Sequence, residues 1–440
     1  MGEHVFTRGA SHLRVMVRGE GVHLWSKDGR RFIDGSSGPI CVNIGHGVAQ
    51  VAEAVAQQMA QVSYVHSSHF TTDSVERCAE RLAELAPQGL GHVFFTCGGS
   101  EATEAAAKMA RQYHLLNGEP TRWKVVARWQ SYHGNTLGAL SMSGNIARRR
   151  RYVPMLLDFP HIPPAYCYRC WFGKSPGSCD LECARALETE IKAQGPEHVS
   201  AFIAEPVVGA TLGTVPAPPG YFQLIRETCD QYGVLLIADE VMTGLGRTGR
   251  MWGLDHWDTV PDILVTAKGL AGGYLPLGAT IASHRVHQAF KEPFAHGHTY
   301  GNHPVACAAG LAVLDYLVEH RLVERSHTLG QVLHRGLKEL AEDHPSVGDV
   351  RGMGLFAGVE FVADKASKEP FPPETRYNSL VVEECYENGL LVYPGMGTVD
   401  GVRGDHIQVA PPLVATRADV EEMLEILDRS ISAVERRVLG

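Results

Sequence analysis

Two apolar segments of this sequence end on ionisable side chains. Residues 234–238 run directly into Asp239, and residues 263–267 run into Lys268. Short apolar runs are typical of buried parallel strands, and open α/β sheets bind their ligands at the carboxyl ends of such strands. A carboxylate buried there requires a positive partner. A lysine at a strand end can lose its proton and form a Schiff base.

Asp239 and Lys268 lie about thirty residues apart, which is the spacing of successive strands in a doubly wound sheet. One partner that fits the carboxylate is the protonated ring nitrogen of pyridoxal phosphate (PLP). Taken singly, an Asp after a buried strand is more often a helix cap or an ion-pair partner, and a lone Lys is usually a solvated charge. The rest of the chain decides between these interpretations.

A third strand end carries a pattern that suits a phosphate group. Residues 92–96 run into Gly98, Gly99 and Ser100, and an Ala-rich helix follows. Glycines let the backbone approach a ligand, and the free N–H groups and dipole at the start of a helix favour an anion. The alternative is an ordinary strand–turn–helix unit with Ser100 as the cap.

Two more strand ends carry side chains that suit a planar ligand. Tyr132 and His133 follow the apolar run 125–127, and an aromatic side chain at a strand end can stack on a flat ring. The alternative is a core tyrosine. Glu205 ends the run 201–204 and is expected to orient its neighbours, with pairing to a surface arginine as the alternative.

The patterning along the chain predicts the elements that position these residues. Strand-like runs alternate with helical patterns at 92–96, 124–128, 200–204, 234–238, 262–266 and 277–282. This alternation predicts a mainly parallel sheet with helices on both faces. A hairpin is predicted around Asp28 and Gly29, and one long helix is predicted from residue 303 to about 343. Shorter strands and helices after it indicate a smaller α+β unit.

These segments resemble, in order and spacing, the motifs of class III aminotransferases, which are fold-type I PLP enzymes. The matching stretches are 98–102, 132–134, 205–206, 239–241, 267–269, 298–304 and 410–413. The resemblance covers nearly the whole chain. It implies an α/β fold, with a seven-stranded type of mainly parallel sheet in a large PLP-binding domain (48–305). Residues 1–47 and 306–440 would then form a smaller α+β domain from both chain ends.

The resemblance also implies roles for the residues at the strand ends. Lys268 would form the Schiff base with PLP and then act as base and acid of a 1,3-proton shift. Asp239 would keep the pyridine nitrogen protonated. Val241 and Tyr132 would pack on opposite faces of the ring.

The other cofactor contacts implied by the resemblance are Gly98, Gly99, Ser100, His133, Glu205 and Thr299. In this family the residue that matches Thr299 reaches the phosphate bound by the neighbouring subunit. An obligate homodimer is therefore expected, either alone or paired into a tetramer.

The residues expected to contact substrate depart from one branch of the family. The ornithine- and GABA-type branch has a Glu and an Arg where this chain has Ala210 and Gln408. Because both charged side chains of that branch are replaced here, we do not expect this chain to bind 2-oxoglutarate through such an arginine. The amine:pyruvate branch uses a mobile arginine, for which Arg403 is the nearest candidate, about two residues away. Ile40, where a large aromatic is frequent, and His298 are expected to line the substrate pocket.

The predicted activity is a ping-pong transfer of an amino group from a primary amine or ω-amino acid to a keto acid, with pyruvate expected. Racemase or epimerase, aminomutase and phospho-lyase reactions remain alternatives, because these motifs bind PLP without selecting the fate of the carbanion. A non-catalytic PLP sensor is disfavoured by the presence of both Lys268 and Asp239, with no appended DNA-binding segment.

The composition is that of an ordinary soluble protein. The 440 residues are 44% apolar and 20% charged, with a formal net charge of −9 and a pI near 6.2. This balance argues against binding to nucleic acid or to acidic membranes. With no secretory pattern, no membrane-length apolar run and sparse cysteines, a cytoplasmic protein is expected.

Two clusters remain outside this scheme. Four thiols, Cys167, Cys170, Cys179 and Cys183, fall within 17 residues and are compatible with a structural zinc, with reduced thiols or with a labile disulfide. The basic run 148–151 is expected to form a solvated helix face or an inter-subunit salt-bridge strip. A minor role of this run near an anionic substrate stays open.

Overall fold

The computed structural model describes residues 4, 6 and 13–440. Its strands are β1 (Met16–Glu20), β2 (His23–Ser26), β3 (Arg31–Asp34), β4 (Leu90–Thr96), β5 (Lys124–Arg128), β6 (His161–Ile162), β7 (Val199–Ala204), β8 (Val207–Val208), β9 (Val215–Pro216), β10 (Leu235–Asp239), β11 (Ile263–Thr266), β12 (Gly278–Ser283), β13 (Val347–Gly352), β14 (Ala357–Phe361), β15 (Leu390–Leu391), β16 (Tyr393–Met396) and β17 (Asp405–Val409). Its α-helices are α1 (Ser37–Ile40), α2 (Ala49–Gln61), α3 (Asp73–Leu85), α4 (Gly99–Leu116), α5 (Leu137–Met142), α6 (Ile146–Arg149), α7 (Glu182–Gln194), α8 (Tyr221–Tyr232), α9 (His284–Ala289), α10 (Pro304–Glu319), α11 (Leu322–Asp343), α12 (Tyr377–Glu387) and α13 (Arg417–Val438).

The large sheet has seven strands in the order β4-β12-β11-β10-β7-β5-β6. β10 runs parallel to β11 and β7, and β5 runs parallel to β7 and β6. β12 is antiparallel to both of its neighbours. The predicted mainly parallel sheet is thus confirmed. No pattern in the sequence predicted β6, because a strand of two residues is too short to show a period.

Both faces of the sheet are covered, which explains why its central strands are continuous apolar runs. Along β10, Leu235 and Ile237 pack in a core with residues of α4. Leu236 and Ala238 point the opposite way, into a core shared with α7 and α8. Alternate residues therefore enter different cores, and the carboxyl end of the strand remains available for polar side chains.

Two smaller sheets bring the chain ends together. One has the order β13-β14-β17-β16, and the other has the order β1-β2-β3-β15. In the second sheet, β15 pairs in parallel with β3 and thus joins the C-terminal part of the chain to the N-terminal part. The predicted hairpin around Asp28 and Gly29 is confirmed by the antiparallel pairing of β2 with β3. The domain boundaries at residues 47 and 305 stay a prediction.

The prediction of one long helix from residue 303 to about 343 is wrong. The segment forms two helices, α10 and α11, with a break at His320 and Arg321. Arg321 has a φ of 50°, in the left-handed region that interrupts a right-handed helix. Apolar periodicity continues across the break, so the pattern alone could not locate it. In residues 4, 6 and 13–440, no helix is long and apolar enough to cross a membrane.

Candidate active site

A cavity of about 260 Å³ opens at the carboxyl end of the large sheet. It brings together most of the side chains and glycines that the sequence singled out for cofactor binding. Those that line it are Gly98, Gly99, Ser100, Tyr132, His133, Glu205, Asp239, Val241 and Lys268. Residues from separate strand ends therefore meet at one place, as expected where parallel strands end side by side.

Asp239 is the last residue of β10 and is only 4% exposed. Its Oδ2 lies 2.7 Å from Nδ1 of His133, and its Oδ1 accepts a hydrogen bond of 3.1 Å from the backbone N–H of Val241. These contacts fix the carboxylate but leave it further acceptor capacity. Nε2 of His133 is buried and has no hydrogen-bond partner among the described residues. A cationic ring N–H of a bound PLP fits this carboxylate.

Lys268 begins a single 3₁₀ turn directly after β11. Its φ of 43° is unusual for a residue with a side chain and is of the kind found where function constrains the backbone. Burial lowers the pKa of Lys268 below its ordinary value. The charge of Arg148 acts in the same direction, while Asp239 and Glu205 oppose it. The amine is thus biased toward the neutral, nucleophilic form that a Schiff base requires.

The start of α4 forms a cradle of the kind that suits a phosphate. Gly98 precedes the helix, and no described side chain caps its free N–H groups. Ser100 Oγ accepts a hydrogen bond of 3.1 Å from the backbone N–H of Asn135. A Cβ on Gly99 would lie 3.2 Å from the Val241 side chain. The backbone can therefore approach a ligand closely, and the N-terminus of this 18-residue helix favours an anion.

Glu205 braces the wall of the cavity through its two carboxylate oxygens. Oε1 accepts from the backbone N–H of Tyr132 at 2.9 Å, and Oε2 accepts from that of Gly209 at 3.0 Å. Burial raises the pKa of Glu205. Arg128, itself buried, donates to the backbone carbonyl of Glu205 rather than to its side chain. The carboxylate therefore orients neighbouring backbone, and the alternative of a surface ion pair does not apply.

Ile40 does not line the cavity, contrary to expectation. It is 1% exposed and belongs to an apolar cluster that also contains Val207 and Met242. Its φ of 58° turns the chain at this point, and the neighbouring Cys41 lines the cavity instead. The sequence placed the segment correctly but selected the wrong residue, because the side-chain direction depends on this local backbone turn.

Arg403 and His298 also lie outside the cavity lining. Arg403 is on an exposed loop, where its Nε donates to Asp400 Oδ2 at 2.8 Å. The backbone N–H of Arg403 donates to the other oxygen of the same carboxylate. His298 packs edge-on against His296, with ring centroids 4.7 Å apart. The structure therefore brings neither residue to the predicted substrate pocket of this chain.

Thr299 is exposed, and its carbonyl oxygen accepts a hydrogen bond of 2.8 Å from the Tyr64 hydroxyl. It lies outside the cavity lining of its own chain. This position beside the surface tyrosines Tyr64 and Tyr300 leaves it free to face another molecule. Its predicted role toward a neighbouring subunit stays a prediction.

Several residues that line the cavity were not assigned a role in it from the sequence. They are Cys41, Cys97, Gly134, Val207, Met242, Thr243, Ala267, Leu275, Pro276 and Leu277. Apolar loop residues are indistinguishable from core residues in a pattern of hydrophobicity. Arg148 is not part of the lining, but its guanidinium carbon lies 4.3 Å from the centroid of the Tyr132 ring, which is. The sequence showed the basic run 148–151, but it could not show which of the four arginines lies beside the site.

The four clustered cysteines are free thiols in the structure. Burial, reinforced by the other three sulfurs, raises the pKa of Cys183 to about 11. In the part of the chain that the structure describes, no group of three or more His, Cys, Asp or Glu side chains is placed to hold a metal ion. The geometry thus offers the zinc hypothesis no support.

Residues 5–431 match the sequence model of the family described as aminotransferase class-III. The chain belongs to this family. It is 40% identical over 427 residues to the uncharacterized aminotransferase YodT of Bacillus subtilis, with 96% of each chain covered. Class III aminotransferases depend on PLP, so the fit of the cavity to that cofactor agrees with the family.

Solved structures of class III aminotransferases share the fold over the whole chain. An (S)-enantioselective omega-transaminase from Thermomicrobium roseum is 40% identical, with a TM-score of 0.90 over 98% of this chain and 96% of that one. An amine transaminase from an uncultivated Pseudomonas species, solved in a PLP-bound form, is 36% identical. Its TM-score is 0.92 over 98% and 99% of the two chains. The protein is therefore a transaminase of fold-type I.

Proposed function

We propose that this aminotransferase moves an amino group from a primary amine or ω-amino acid to pyruvate, in two half-reactions on one PLP. The observation that carries the choice of acceptor is the pair Ala210 and Gln408. Gln408 is fully buried and donates to Thr214 Oγ1 at 2.8 Å. An amide and a methyl group thus replace the arginine and carboxylate that 2-oxoglutarate recognition would use, and pyruvate has no second carboxylate to bind. The amine transaminases among the solved structures support the choice of donor.

The side chains of the cavity suit this chemistry. When bound, PLP supplies an electron sink for the carbanion formed at the donor carbon. Asp239, held by His133, would keep a proton on the pyridine nitrogen. Lys268, whose pKa burial lowers, would move the proton between the donor carbon and the cofactor. The N–H groups at Gly99 and Ser100 would bind the phosphate.

We also propose a homodimer in which a second copy covers an apolar groove beside the cavity. This groove, of about 500 Å³, is lined by Val55, Met59, Ser63, Tyr64, Cys97, Leu275, Pro276, Tyr300, His303, Val305 and Ala306. Met59 is 58% exposed and Tyr300 is 60% exposed, and such apolar surface is typical of an interface. Cys97, Leu275 and Pro276 also line the cavity, so the partner would complete the active site.

A cytoplasmic location is proposed as well. The ten cysteines are spread over the described residues and none is in a disulfide, which is typical of proteins from reducing compartments.

The test of the proposed reaction is the absorbance of the purified PLP enzyme during a stepwise assay. A panel of primary amines and ω-amino acids is added without acceptor, and pyruvate or 2-oxoglutarate is then added separately. Conversion of the cofactor to its amine form by a donor, and recovery with pyruvate alone, is the expected result. Recovery with 2-oxoglutarate alone would overturn the acceptor. A cofactor signal that is perturbed but never converts would indicate an epimerase or lyase instead.

A further inference from the structure

The basic run 148–151 contains an arginine that the proposed function has not used. Arg148 is half-buried, and its guanidinium lies over the ring of Tyr132, which lines the cavity together with Lys268. The positive charge of Arg148 adds to the effect of burial in lowering the pKa of the Lys268 amine. The expectation that the whole run forms a solvated face is therefore wrong for this residue.

The guanidinium of Arg148 has no counter-ion among the described residues. Among residues 13–440 and the two described residues before them, no carboxylate forms an ion pair with it and no acceptor receives its N–H groups. Arg403, the arginine expected to bind substrate, is instead held by Asp400 at 2.8 Å. Of these two arginines, Arg148 is the one whose guanidinium has no carboxylate partner among the described residues and can therefore pair with an anionic ligand.

Short-range contacts hold α6 and therefore Arg148 in place. The Asn145 side chain accepts a hydrogen bond of 3.0 Å from the backbone N–H of Arg148. Arg149 donates to the carbonyls of Leu140, Ser141 and Ser143 at 2.9, 2.8 and 2.7 Å. Arg148 is thus presented by a fixed turn, which lowers the entropy lost when its side chain binds a ligand.

We propose that Arg148 binds the anionic group of the substrate, and that the enzyme therefore prefers donors with a carboxylate or sulfonate a short chain away from the amine. This proposal rests on the proposed transaminase function. A guanidinium stacked on an aromatic ring keeps its N–H edge free, and that edge matches two oxygens of an oxyanion. The same contact would serve the carboxylate of the keto acid in the second half-reaction. Arg148 is thus a specificity-determining residue.

The first test compares two donors of similar length in the PLP enzyme, β-alanine with a carboxylate and propylamine without one. The variant Arg148→Gln should lower kcat/KM for β-alanine roughly 10- to 100-fold, chiefly through KM, because a hydrogen bond to a charged group is lost. The value for propylamine should change by less than about 3-fold. Arg150→Gln, an exposed neighbour in the same run, is the matched control and should leave both values unchanged. Equal losses for the two donors would overturn the proposal and indicate that Arg148 only supports Tyr132.

A second measurement separates this proposal from the proposed reaction. Propanoate carries the anion but no amine, and its binding to the PLP enzyme is measured by calorimetry without turnover. Weaker binding to Arg148→Gln, with Arg148→Lys intermediate, would support the anion site even if pyruvate proved to be the wrong acceptor. Equal binding by wild type and Arg148→Gln would overturn it. Taurine in place of β-alanine shows whether the site favours a sulfonate or a carboxylate.

Discussion

The floor and the rim of the cavity hold their charged groups in different ways. On the floor, formed by His133, Glu205, Asp239 and Lys268, the carboxylates have fixed partners: Asp239 meets His133, and Glu205 holds two backbone N–H groups. The rim comprises Cys41 of the lining, Arg148 beside Tyr132, and the loop 397–404, which lies outside the lining but against Ile146 of α6. On this rim, Arg403 is paired with Asp400 of the same loop, and Arg148 is paired with none of the described carboxylates.

This difference follows from the elements that carry the two sets. The floor residues follow the ends of β5, β7, β10 and β11, whose positions are fixed by ladder hydrogen bonds and two cores. The rim residues come from short turns and a loop. Charged groups with fixed partners suit chemistry that every substrate shares, whereas a charged group without a protein partner suits the recognition of one substrate class. Substitutions on the floor should therefore affect all donors, and substitutions on the rim should affect some.

The largest expected effect is that of Lys268→Ala. Among the described residues that line the cavity, Lys268 is the only one with an amine, and its loss should lower kcat for every donor by on the order of 10⁴-fold or more. The absorbance band of PLP attached to the enzyme should disappear as well. Lys338→Ala, on the exposed side of α11, is the control. A Lys268→Ala variant with more than a tenth of wild-type activity would contradict the assigned role.

Asp239→Asn should have the next largest effect. The substitution preserves shape but removes the carboxylate charge that would hold the proton on the pyridine nitrogen, and a hydrogen bond to a charged group contributes about 1.5–3 kcal/mol. We expect kcat/KM to fall by roughly 100-fold for donors with and without a carboxylate alike. Steady-state assays of wild type and Asp239→Asn with β-alanine and with propylamine measure the fall in kcat/KM. A loss confined to one donor would remove the distinction between floor and rim.

Acidification should weaken the small sheet that supports the rim. Burial, reinforced by Arg351, lowers the pKa of His406 to about 3, although Glu360 opposes the shift. Because this folded-state pKa lies below the ordinary value of 6.5, His406 contributes its full stability above pH 6.5. The contribution is lost as the pH falls toward 3, by about 2 kcal/mol at pH 5.

Urea unfolding of wild type and His406→Gln at pH 7.5 and pH 5 measures this contribution. The variant should lose less stability than wild type between the two values. If both proteins lose the same amount, His406 is not the group responsible.

Arg403→Gln should have the smallest effect. Its ion pair with Asp400 is exposed, and exposed pairs contribute little. We expect kcat/KM for both donors to stay within about 3-fold of wild type. Steady-state assays with β-alanine and propylamine measure kcat/KM of Arg403→Gln, and Arg148→Gln is measured for comparison. A loss of more than 10-fold for β-alanine alone would show that the loop 397–404 moves and that Arg403 reaches the substrate.

The floor could be predicted from the sequence because each of its residues follows a strand of strong apolar character. Asp239 and Lys268 end such runs, and parallel strands place their ends together. The rim could not be predicted. The choice between Ile40 and Cys41 depends on one backbone dihedral angle, and the choice among four adjacent arginines depends on the orientation of α6. The break at Arg321 was missed for the same reason, since it leaves the apolar pattern intact.

Cys97, Leu275 and Pro276 form a wall with the cavity on one side and the apolar groove on the other. A designer who mutates this wall to widen the range of amines changes two surfaces with each substitution. Because the groove is the proposed dimer interface, libraries at these positions would also screen, unintentionally, for chains that still assemble. Cys41 lines the cavity but not the groove, and is the safer position from which to begin.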